Sequence, residues 1–316
     1  MALGTAHMTT TTHTKFIPEL WSDEVVAAYK SNLVLANLVT RMNHSGKKGD
    51  TIHIPKPTRG AASAKAAQTE VTLIAATETE LTISIDKHFE YSRMIEDILE
   101  KQALSSMRTF YTDDAGYALA KQADTHLWLQ AYTLTGGTIN TVSSGTTTDF
   151  GTAGTVIGSD GSTAFDAGND NAAALADAGI RKVIQTLDDN DIPMSDRFFV
   201  IPPVEKKNLT GLARFTEQAF VGEAGAGNSI RNGLVGDVYG IPVYVSTNCP
   251  TDTEGSQDAR LCLMAHKSAL VMAEQMSVRT QTQYKQEWLG DLFTADTIYG
   301  TGELRNDAGI KIAVVA

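Results

Sequence analysis

Cysteine and long apolar runs are the features that this sequence most clearly lacks. It has only two cysteines, Cys249 and Cys262, which excludes a disulfide-stapled scaffold and is typical of a reducing compartment. No stretch of about 18 apolar residues occurs, and no basic start followed by an apolar block opens the chain. We therefore expect a protein that is cytosolic where it is made and has no membrane partner.

Positive charge is also in deficit. The 316 residues carry 26 lysines and arginines against 37 aspartates and glutamates, a formal net charge of -11. Because affinity for nucleic-acid phosphates comes from clustered lysine and arginine, we do not expect sequence-specific DNA binding. Charged residues make up only 20% of the chain, so we expect partner subunits to cover part of the surface. The apolar content of 42% is enough for a real core.

Catalytic and cofactor motifs are missing as well. The glycine-rich loop Gly222–Gly227 lacks the Lys-Ser/Thr pair of a phosphate-binding loop. The seven histidines show no metal-ligand spacing, and the acidic runs Asp113–Asp114 and Asp188–Asp191 are typical of solvated helix ends. We expect no enzyme, no cofactor and no metal site. An enzyme with an unusual site stays open as an alternative, and so does a surface-layer or adhesin protein, which the missing export signal disfavours.

What the sequence does have is a long two-stranded ribbon. Ile52 and Ile54 alternate in TIHIPKP, Leu81, Ile83 and Ile85 alternate on the return, and an Ala- and Thr-rich segment separates the two runs. An isolated two-stranded ribbon is only marginally stable, because its apolar side has no cover. We expect a neighbouring copy of the chain to supply that cover. A ribbon folded onto its own domain is the alternative.

Charge changes sign along the ribbon. From Arg41 to Lys65 six basic residues face one aspartate, a balance of +5, whereas Thr69 to Glu100 carries eight acidic and two basic groups, a balance of -6. This contrast favours an arm whose basic part reaches the acidic face of a neighbour. The expected contacts on the arm are Lys47, Lys48, Ile52, Ile54, Lys56, Arg59, Lys65, Leu81, Ile83 and Ile85. The expected acceptor contacts, at the start of a helix, are Glu90, Glu96, Asp97 and Glu100.

Both helices and strands are predicted along the chain, which indicates a mixed α+β class. Helical spacing occurs at Trp21–Val34, at Tyr91–Tyr132 with a bend or break expected at Gly116, at Ala172–Leu187 and after Pro203. Apolar runs predict strands at Arg197–Ile201, Val238–Val245, Leu261–Met264, Ala269–Met272 and in the final IKIAVVA, whereas VRTQTQY is interpreted as a polar segment. Residues 133–171 hold eight glycines and few large apolar groups, which predicts an exposed insertion.

In this order the segments resemble the major capsid proteins of tailed bacteriophages, which have the Hong Kong 97 type capsid fold. FIPELWSDEVVAAYKSNLVLANLV is similar to the N-terminal arm of one branch of that family, and KKGDTIHIPKP to ELTISIDKHF is similar to its extended loop. Tyr91–Tyr132 resembles the long spine helix. RFFVIPPVEKKNLTGLARF, VGDVYGIPVYVSTNCP and AHKSALVMAEQ resemble the axial domain and the return to the peripheral domain.

The resemblance implies a chain organisation. Residues 1–45 would form the N-terminal arm, 46–90 the extended β-hairpin loop, 91–171 the peripheral domain with the spine helix and the Thr/Gly-rich insertion, 172–265 the axial domain, and 266–316 the return to the peripheral domain. It implies a non-catalytic major head protein that self-assembles into hexamers and pentamers of an icosahedral virion shell. Only about fifteen residues precede FIPELW, so a separate scaffolding protein is expected.

The same resemblance implies further partners. They are a portal protein, a possible decoration protein and enclosed double-stranded DNA, which the shell would not bind sequence-specifically. An encapsulin-type nanocompartment shell, which has the same architecture, is the leading alternative.

Overall fold

The structure is a computed structural model that describes residues 34–46, 48–57, 60–71, 73, 78–97, 107–136, 154–166, 171–211, 236–252 and 258–316. Its helices are α1 (Leu35–Leu38), α2 (Met107–Ala131), α3 (Asp177–Asp189) and α4 (Pro203–Gly211). Its strands are β1 (Thr40–Asn43), β2 (Thr51–Pro57), β3 (Glu78–Ser84), β4 (Lys87–Glu96), β5 (Thr155–Ile157), β6 (Arg197–Ile201), β7 (Asp237–Val238), β8 (Ile241–Val245), β9 (Thr251–Asp252), β10 (Ala259–His266), β11 (Leu270–Lys285), β12 (Gly290–Glu303) and β13 (Gly309–Val315). The mixed α+β class is confirmed. The predicted helix before Val34 and the loop Gly222–Gly227 lie outside the described residues.

A seven-stranded sheet forms the larger core. Its order is β5-β13-β10-β6-β8-β7, with β9 beside β10. Every residue of β6 is buried, as is all of β13 except its last residue, and such continuous apolar runs are typical of strands covered on both faces. The side chains of Ile180, Val183 and Leu187 on α3 join this core at helical spacing. The predicted strands at 197–201, 238–245, 261–264 and in IKIAVVA are confirmed.

A four-stranded sheet in the order β1-β11-β12-β4 carries the smaller core. The strands β11 and β12 form a long hairpin that turns between Lys285 and Gly290. Ala115 and Leu119 of α2 pack on Phe293 and Ala295 of β12, so this helix covers one face of the sheet. The outer half of β11 is exposed, so VRTQTQY can be polar on both faces and still be a strand. VRTQTQY is polar and exposed, as the sequence indicated, and the structure adds that it is part of a strand.

The long helix is shorter than the sequence predicted. It runs from Met107 to Ala131, and it continues through Gly116 without a break. Residues 91–96 are strand instead, since β4 pairs with β12 from Lys87↔Tyr299 to Glu96↔Gly290. Phe89 and Tyr91 alternate on the face that packs against α2. The prediction of a helix from Tyr91 was wrong because this pairing outweighs the helical spacing of the later apolar residues.

The Thr/Gly-rich insertion is built into the fold over part of its length. The strand β5 pairs in parallel with β13, and Val156 and Phe165 are buried in the main core. A Cβ at Gly179 of α3 would lie 2.1 Å from the carbonyl oxygen of Gly158, so the helix and this segment touch at their backbones. The prediction that residues 133–171 are exposed was wrong for 154–166. Small residues gave no apolar signal there, although they allow the closest packing.

The larger sheet draws on three of the predicted chain segments. The strand β5 belongs to the segment 91–171, β6, β8 and β10 belong to 172–265 except for the last residue of β10, and β13 belongs to 266–316. A common core therefore crosses the predicted boundaries at 171 and 265, which stay predictions about chain segments. Among the described residues, no helix has the length and apolarity needed to cross a membrane.

Candidate assembly surfaces

A β-hairpin stands out from the body of the molecule. The strands β2 and β3 pair with Thr51 opposite Ser84, Ile52 opposite Ile83 and Ile54 opposite Leu81, as the sequence predicted. We call the chain from Lys48 to Ser84 the arm, and its described residues 60–71 and 73 the tip. Two hydrogen bonds to backbone oxygens hold the arm at its base: the Ile85 N–H donates to Asp50 O at 2.7 Å, and the Gln275 side-chain amide donates from Nε2 to Gly49 O at 3.1 Å.

Two glycines of β12 form the seat of the arm. A Cβ at Gly300 would lie 2.4 Å from the carbonyl oxygen of Ser84, and a Cβ at Gly302 would lie 3.2 Å from Ile83 Cγ1. The first distance is too short for any side chain, because its partner is backbone. Glycine at 300 therefore lets the base of the arm lie directly on the sheet, a close approach that only a missing side chain permits.

The base of the arm finds its apolar cover within its own chain. Ile83 is 1% exposed and Ile85 is 7% exposed, and both pack with Val271 and Ala273 of β11. Ile52 and Ile54 are partly buried in the same cluster, and Leu81 is half-buried. The expectation that Ile83 and Ile85 shelter on a neighbour was wrong, since the sheet below already covers them. Contact with a neighbouring copy is therefore expected at the tip rather than at the base of the arm.

The tip is exposed at every described residue. A single turn closes it, in which Gln68 has a φ of 65° and the hydroxyl of Thr69 donates to Ala66 O at 2.7 Å. Val71 is 68% exposed and Leu73 is 89% exposed. Large apolar side chains at such exposure are typical of an interaction site when they lie together.

The charges of the arm offset one another once the two strands are paired. Lys48, Lys56 and Lys65 are exposed, whereas Lys47 and Arg59 lie outside the described residues. The return strand brings acidic residues alongside: Glu80 is opposite Pro55 and its carboxylate lies 3.2 Å from His53 Nδ1. Because opposite charges stand about one strand spacing apart, the arm as a whole does not present a single basic field.

Two of the predicted acidic contacts, Glu96 and Asp97, lie at the end of the four-stranded sheet where β11 turns into β12. Glu90 and Glu96 are on β4 rather than at the start of a helix, and Asp97 follows directly, while Glu100 lies outside the described residues. The Tyr284 hydroxyl donates to Asp97 Oδ2 at 2.8 Å, and the Asp97 N–H donates to Leu289 O at 3.0 Å. Asp97 thus contacts the β11–β12 turn, which no sequence signal marked, and the role of these carboxylates as acceptors of a neighbour's arm stays a prediction.

That turn exposes large apolar side chains. Trp288 is 63%, Leu289 64% and Tyr284 46% exposed, and we call these three residues the turn patch. Leu289 has a φ of 44°, a conformation that costs energy for a branched side chain. No sequence signal marked the patch, because exposure of an apolar residue is decided by what packs on it.

Buried titratable side chains serve the structure. Burial raises the pKa of the Cys249 thiol to about 12 and raises that of Cys262 as well, so neither is a thiolate nucleophile. Asp124, fully buried, accepts the Leu35 N–H at 3.0 Å and the Asn248 amide at 2.8 Å. Its oxygen thus satisfies a donor at the first turn of α1. No group of three histidine, cysteine or acidic residues in the described part of the chain could hold a metal ion.

A body of two sheets with a projecting arm, whose polar clusters tie the chain together, favours a structural protein that associates with other copies. The chain belongs to the phage capsid protein family, whose sequence model matches residues 13–313. It is therefore a structural component of a virion and not an enzyme, and the family is that of phage capsids rather than of encapsulin-type shells.

Solved structures agree with this family and show the fold. The structure of Mycobacterium phage Che8 is 22% identical, over 94% of this chain and 97% of its own, with a TM-score of 0.72. The mature capsid of bacteriophage PhiM1 is 16% identical over 99% and 97%, with a TM-score of 0.71. The head structure of Helicobacter pylori bacteriophage KHP40 is 13% identical over 98% and 99%, with a TM-score of 0.71. No curated protein matches the sequence.

Proposed function

We propose that this chain is the major capsid protein of a tailed double-stranded DNA phage, and that its hexamers and pentamers build the icosahedral head shell. The observation that carries the proposal is the arm: its base is fixed on the chain's own sheet, while its tip is exposed throughout, with Val71 and Leu73 in solvent. A fixed base with an uncovered apolar tip is a device for reaching a neighbour. Membership of the phage capsid family supports this function.

The energetics suit a shell of many weak contacts. A contact of about 800 Å² per partner, half of it apolar, offers ~20 kcal/mol gross over both faces at about 25 cal/mol per Å². Association and ordering costs remove most of this, so a single pair of copies binds weakly. Closure of a ring or shell lets the same contacts act together, and the assembly becomes cooperative.

The acidic balance of the chain suits a container for DNA. With a net charge of -11, the wall as a whole offers little electrostatic attraction to phosphates, so packed DNA can slide and leave. The partners that go with this function are a separate scaffolding protein, a portal protein and a possible decoration protein. Assembly would take place in the host cytoplasm.

The test is assembly with and without the tip. Electron microscopy of the purified protein should show shells, tubes or capsomers. Deleting residues 60–73, which removes Val71 and Leu73 with the rest of the tip, should leave a folded chain with unchanged circular dichroism that forms no stable shells. Met194→Ala is the matched control, because Met194 is an apolar residue 76% exposed on another part of the surface. A wild-type protein that stays monomeric at high concentration in low and high salt would overturn the proposal.

A further inference from the structure

A cluster of three rings joins the long helix to the four-stranded sheet. The ring of His126 on α2 lies 5.0 Å from the ring of Phe89 on β4 and 5.9 Å from the ring of Tyr299 on β12, measured between centroids. Phe89 and Tyr299 stack on each other at 6.1 Å. We call these three residues the ring cluster. Through it, one side chain of the helix contacts two paired strands, and ring contacts at such distances are stabilising.

The imidazole is a hydrogen-bond acceptor in this cluster. His126 Nδ1 and the Tyr299 hydroxyl oxygen are 2.8 Å apart. Tyr299 is fully buried, and its hydroxyl has no other partner among the residues that the structure describes. Because a buried hydroxyl proton needs an acceptor, Tyr299 donates and Nδ1 accepts. This bond therefore requires a neutral imidazole whose Nδ1 carries no proton.

The surroundings of the ring also favour its neutral form. The groups around it are the carbonyl of Gln122 on α2, Tyr299 on β12 with Glu274 opposite it on β11, and the pair Asp86 and Lys87 at the start of β4. Burial of the imidazole is the largest influence, and the nearby Lys87 ammonium adds to it. The Gln122 carbonyl and the Asp86 carboxylate act in the opposite direction. Together they hold the pKa of His126 below its usual value of 6.5.

A proton on Nδ1 is incompatible with the ring cluster. The imidazolium would donate where the neutral ring accepts, so the buried hydroxyl proton of Tyr299 would lose its acceptor. The same proton would place a second positive charge near Lys87 in a partly buried position. Both costs disappear when the helix and the sheet separate, because water then solvates the imidazolium and the hydroxyl. Proton uptake and the helix–sheet contact are therefore linked with opposite signs.

We propose that the ring cluster is a pH-sensitive switch: neutral His126 holds α2 on β4 and β12, and proton uptake by its imidazole in acid releases the helix from the four-stranded sheet. The C-terminal part of α2, with Leu127 and Trp128, belongs to the larger core and would stay in place. Release would therefore let the two sheets move relative to each other. The switch is a property of the single chain and does not depend on the proposed shell function.

The sign and the upper limit of the effect follow from linkage. Because the pKa of His126 is lowered in the folded chain, its contribution to stability is present above pH 6.5 and is lost as the pH falls below that value. If only the released form bound the proton, with the ordinary value of 6.5, the ratio of released to closed molecules would rise ~25-fold from pH 7 to pH 5. Proton binding by the closed form makes the rise smaller.

The first experiment compares amide hydrogen exchange in the unassembled subunit at pH 7 and pH 5, after correction for the intrinsic effect of pH on exchange. In the wild type, openings that expose α2 and β12 should become severalfold more frequent at pH 5, within the limit of ~25-fold. His126→Asn should show no such rise, since its amide oxygen can accept near the position of Nδ1 but does not titrate. Unchanged opening in the wild type, or an equal rise in His126→Asn, would overturn the proposal.

The matched control is His53→Gln. His53 is an exposed histidine on the arm, 3.2 Å from Glu80, and it has no contact with α2. This variant should keep the full wild-type rise in α2. Loss of the rise in His53→Gln would show that the acid effect does not originate at His126, and the switch would be rejected.

The second experiment tests the bond itself by NMR titration of the His126 ring, whose signal is identified by its absence in His126→Asn. Tyr299→Phe removes only the hydroxyl and leaves the ring packing in place. The titration midpoint of His126 should move to higher pH, because the neutral imidazole loses the hydrogen bond that favours it. A purely structural tyrosine would change stability without moving this midpoint, so an unchanged midpoint would refute the switch even if His126→Asn failed to fold.

Discussion

Substituting three glycines by alanine, one at a time, should change the free energy of unfolding by graded amounts. Two of the three, Gly300 and Gly302, lie where the arm contacts β12. Gly300→Ala places a Cβ 2.4 Å from the carbonyl oxygen of Ser84, and neither atom can turn away, because the oxygen is part of the backbone of β3 and the Cβ is fixed by the backbone of β12. The base of the arm must shift, and overpacking of this kind costs about 1–3 kcal/mol. Gly302→Ala meets side-chain atoms and no backbone, with Ile83 Cγ1 at 3.2 Å and Ile83 Cγ2 at 3.4 Å, so a shift of a few tenths of an ångström relieves it and it should cost less than Gly300→Ala.

The third substitution, Gly116→Ala, is a control that is expected to raise stability rather than lower it. Gly116 lies within α2, and a Cβ there has no atom within 4 Å. Gly116→Ala should therefore stabilise the chain by about 1 kcal/mol, since glycine is the poorer helix former.

Urea unfolding of the unassembled subunit measures all three variants. The midpoints should follow the order Gly116→Ala above wild type, Gly302→Ala slightly below it and Gly300→Ala lowest, with an unchanged dependence on urea concentration. In particle assembly, Gly300→Ala should also be impaired, because a displaced base misdirects the tip. If Gly300→Ala were as stable as the wild type, the arm would not lie on β12 as described.

Three further outcomes follow from single side chains. Burial lowers the pKa of Lys311 to about 8 from 10.5, so this amine costs ~3 kcal/mol of folding free energy while it is charged. Lys311→Met should therefore be more stable than the wild type in urea at pH 7, and this advantage should shrink by about the same amount when the pH is raised to 10.5. A stability difference that does not change with pH would contradict the reasoning. Asp124→Ala should lower the free energy of unfolding by ~2–4 kcal/mol, because it leaves the buried Leu35 N–H and the Asn248 amide without their acceptor. Asp124→Asn should lower the free energy of unfolding by less. Equal losses for the two variants in thermal or urea unfolding would exclude a hydrogen-bonding role for Asp124. Lys65→Glu should weaken assembly by a modest factor that fades at high salt in light scattering, since one exposed pair contributes about 0.2–1 kcal/mol. A loss as large as that of the tip deletion would point to an electrostatic interface instead.

The ribbon shows where sequence reasoning succeeded and where it stopped. Alternation of Ile52 and Ile54 with Leu81 and Ile83 predicted the pairing, because a period of two is a local property of the chain. The cover of Ile83 was assigned to another molecule, since nothing in the local pattern reveals that Gly300 and Gly302 clear a place for it. Glycines that permit a contact leave no apolar signature.

The same limit applies to the helix and the acceptor. Residues 107–131 were predicted as helix and are helix, because helical spacing is sustained over that stretch. Residues 91–96 have mixed signals, and their pairing with β12, some 200 positions later in the chain, decided in favour of strand. The carboxylates at Glu96 and Asp97 were selected from charge alone, whereas Trp288 beside them became significant only when the fold left it uncovered.

By itself the sequence determined the mixed class, the ribbon, most of the strands of the larger sheet and the net acidic charge, because each of these follows from the order and composition of neighbouring residues. The tertiary structure decided which surfaces are covered. Burial is a property of contacts between distant parts of the chain, so only the folded molecule separates the base of the arm, which its own sheet shelters, from the tip and the turn patch, which remain open to another copy.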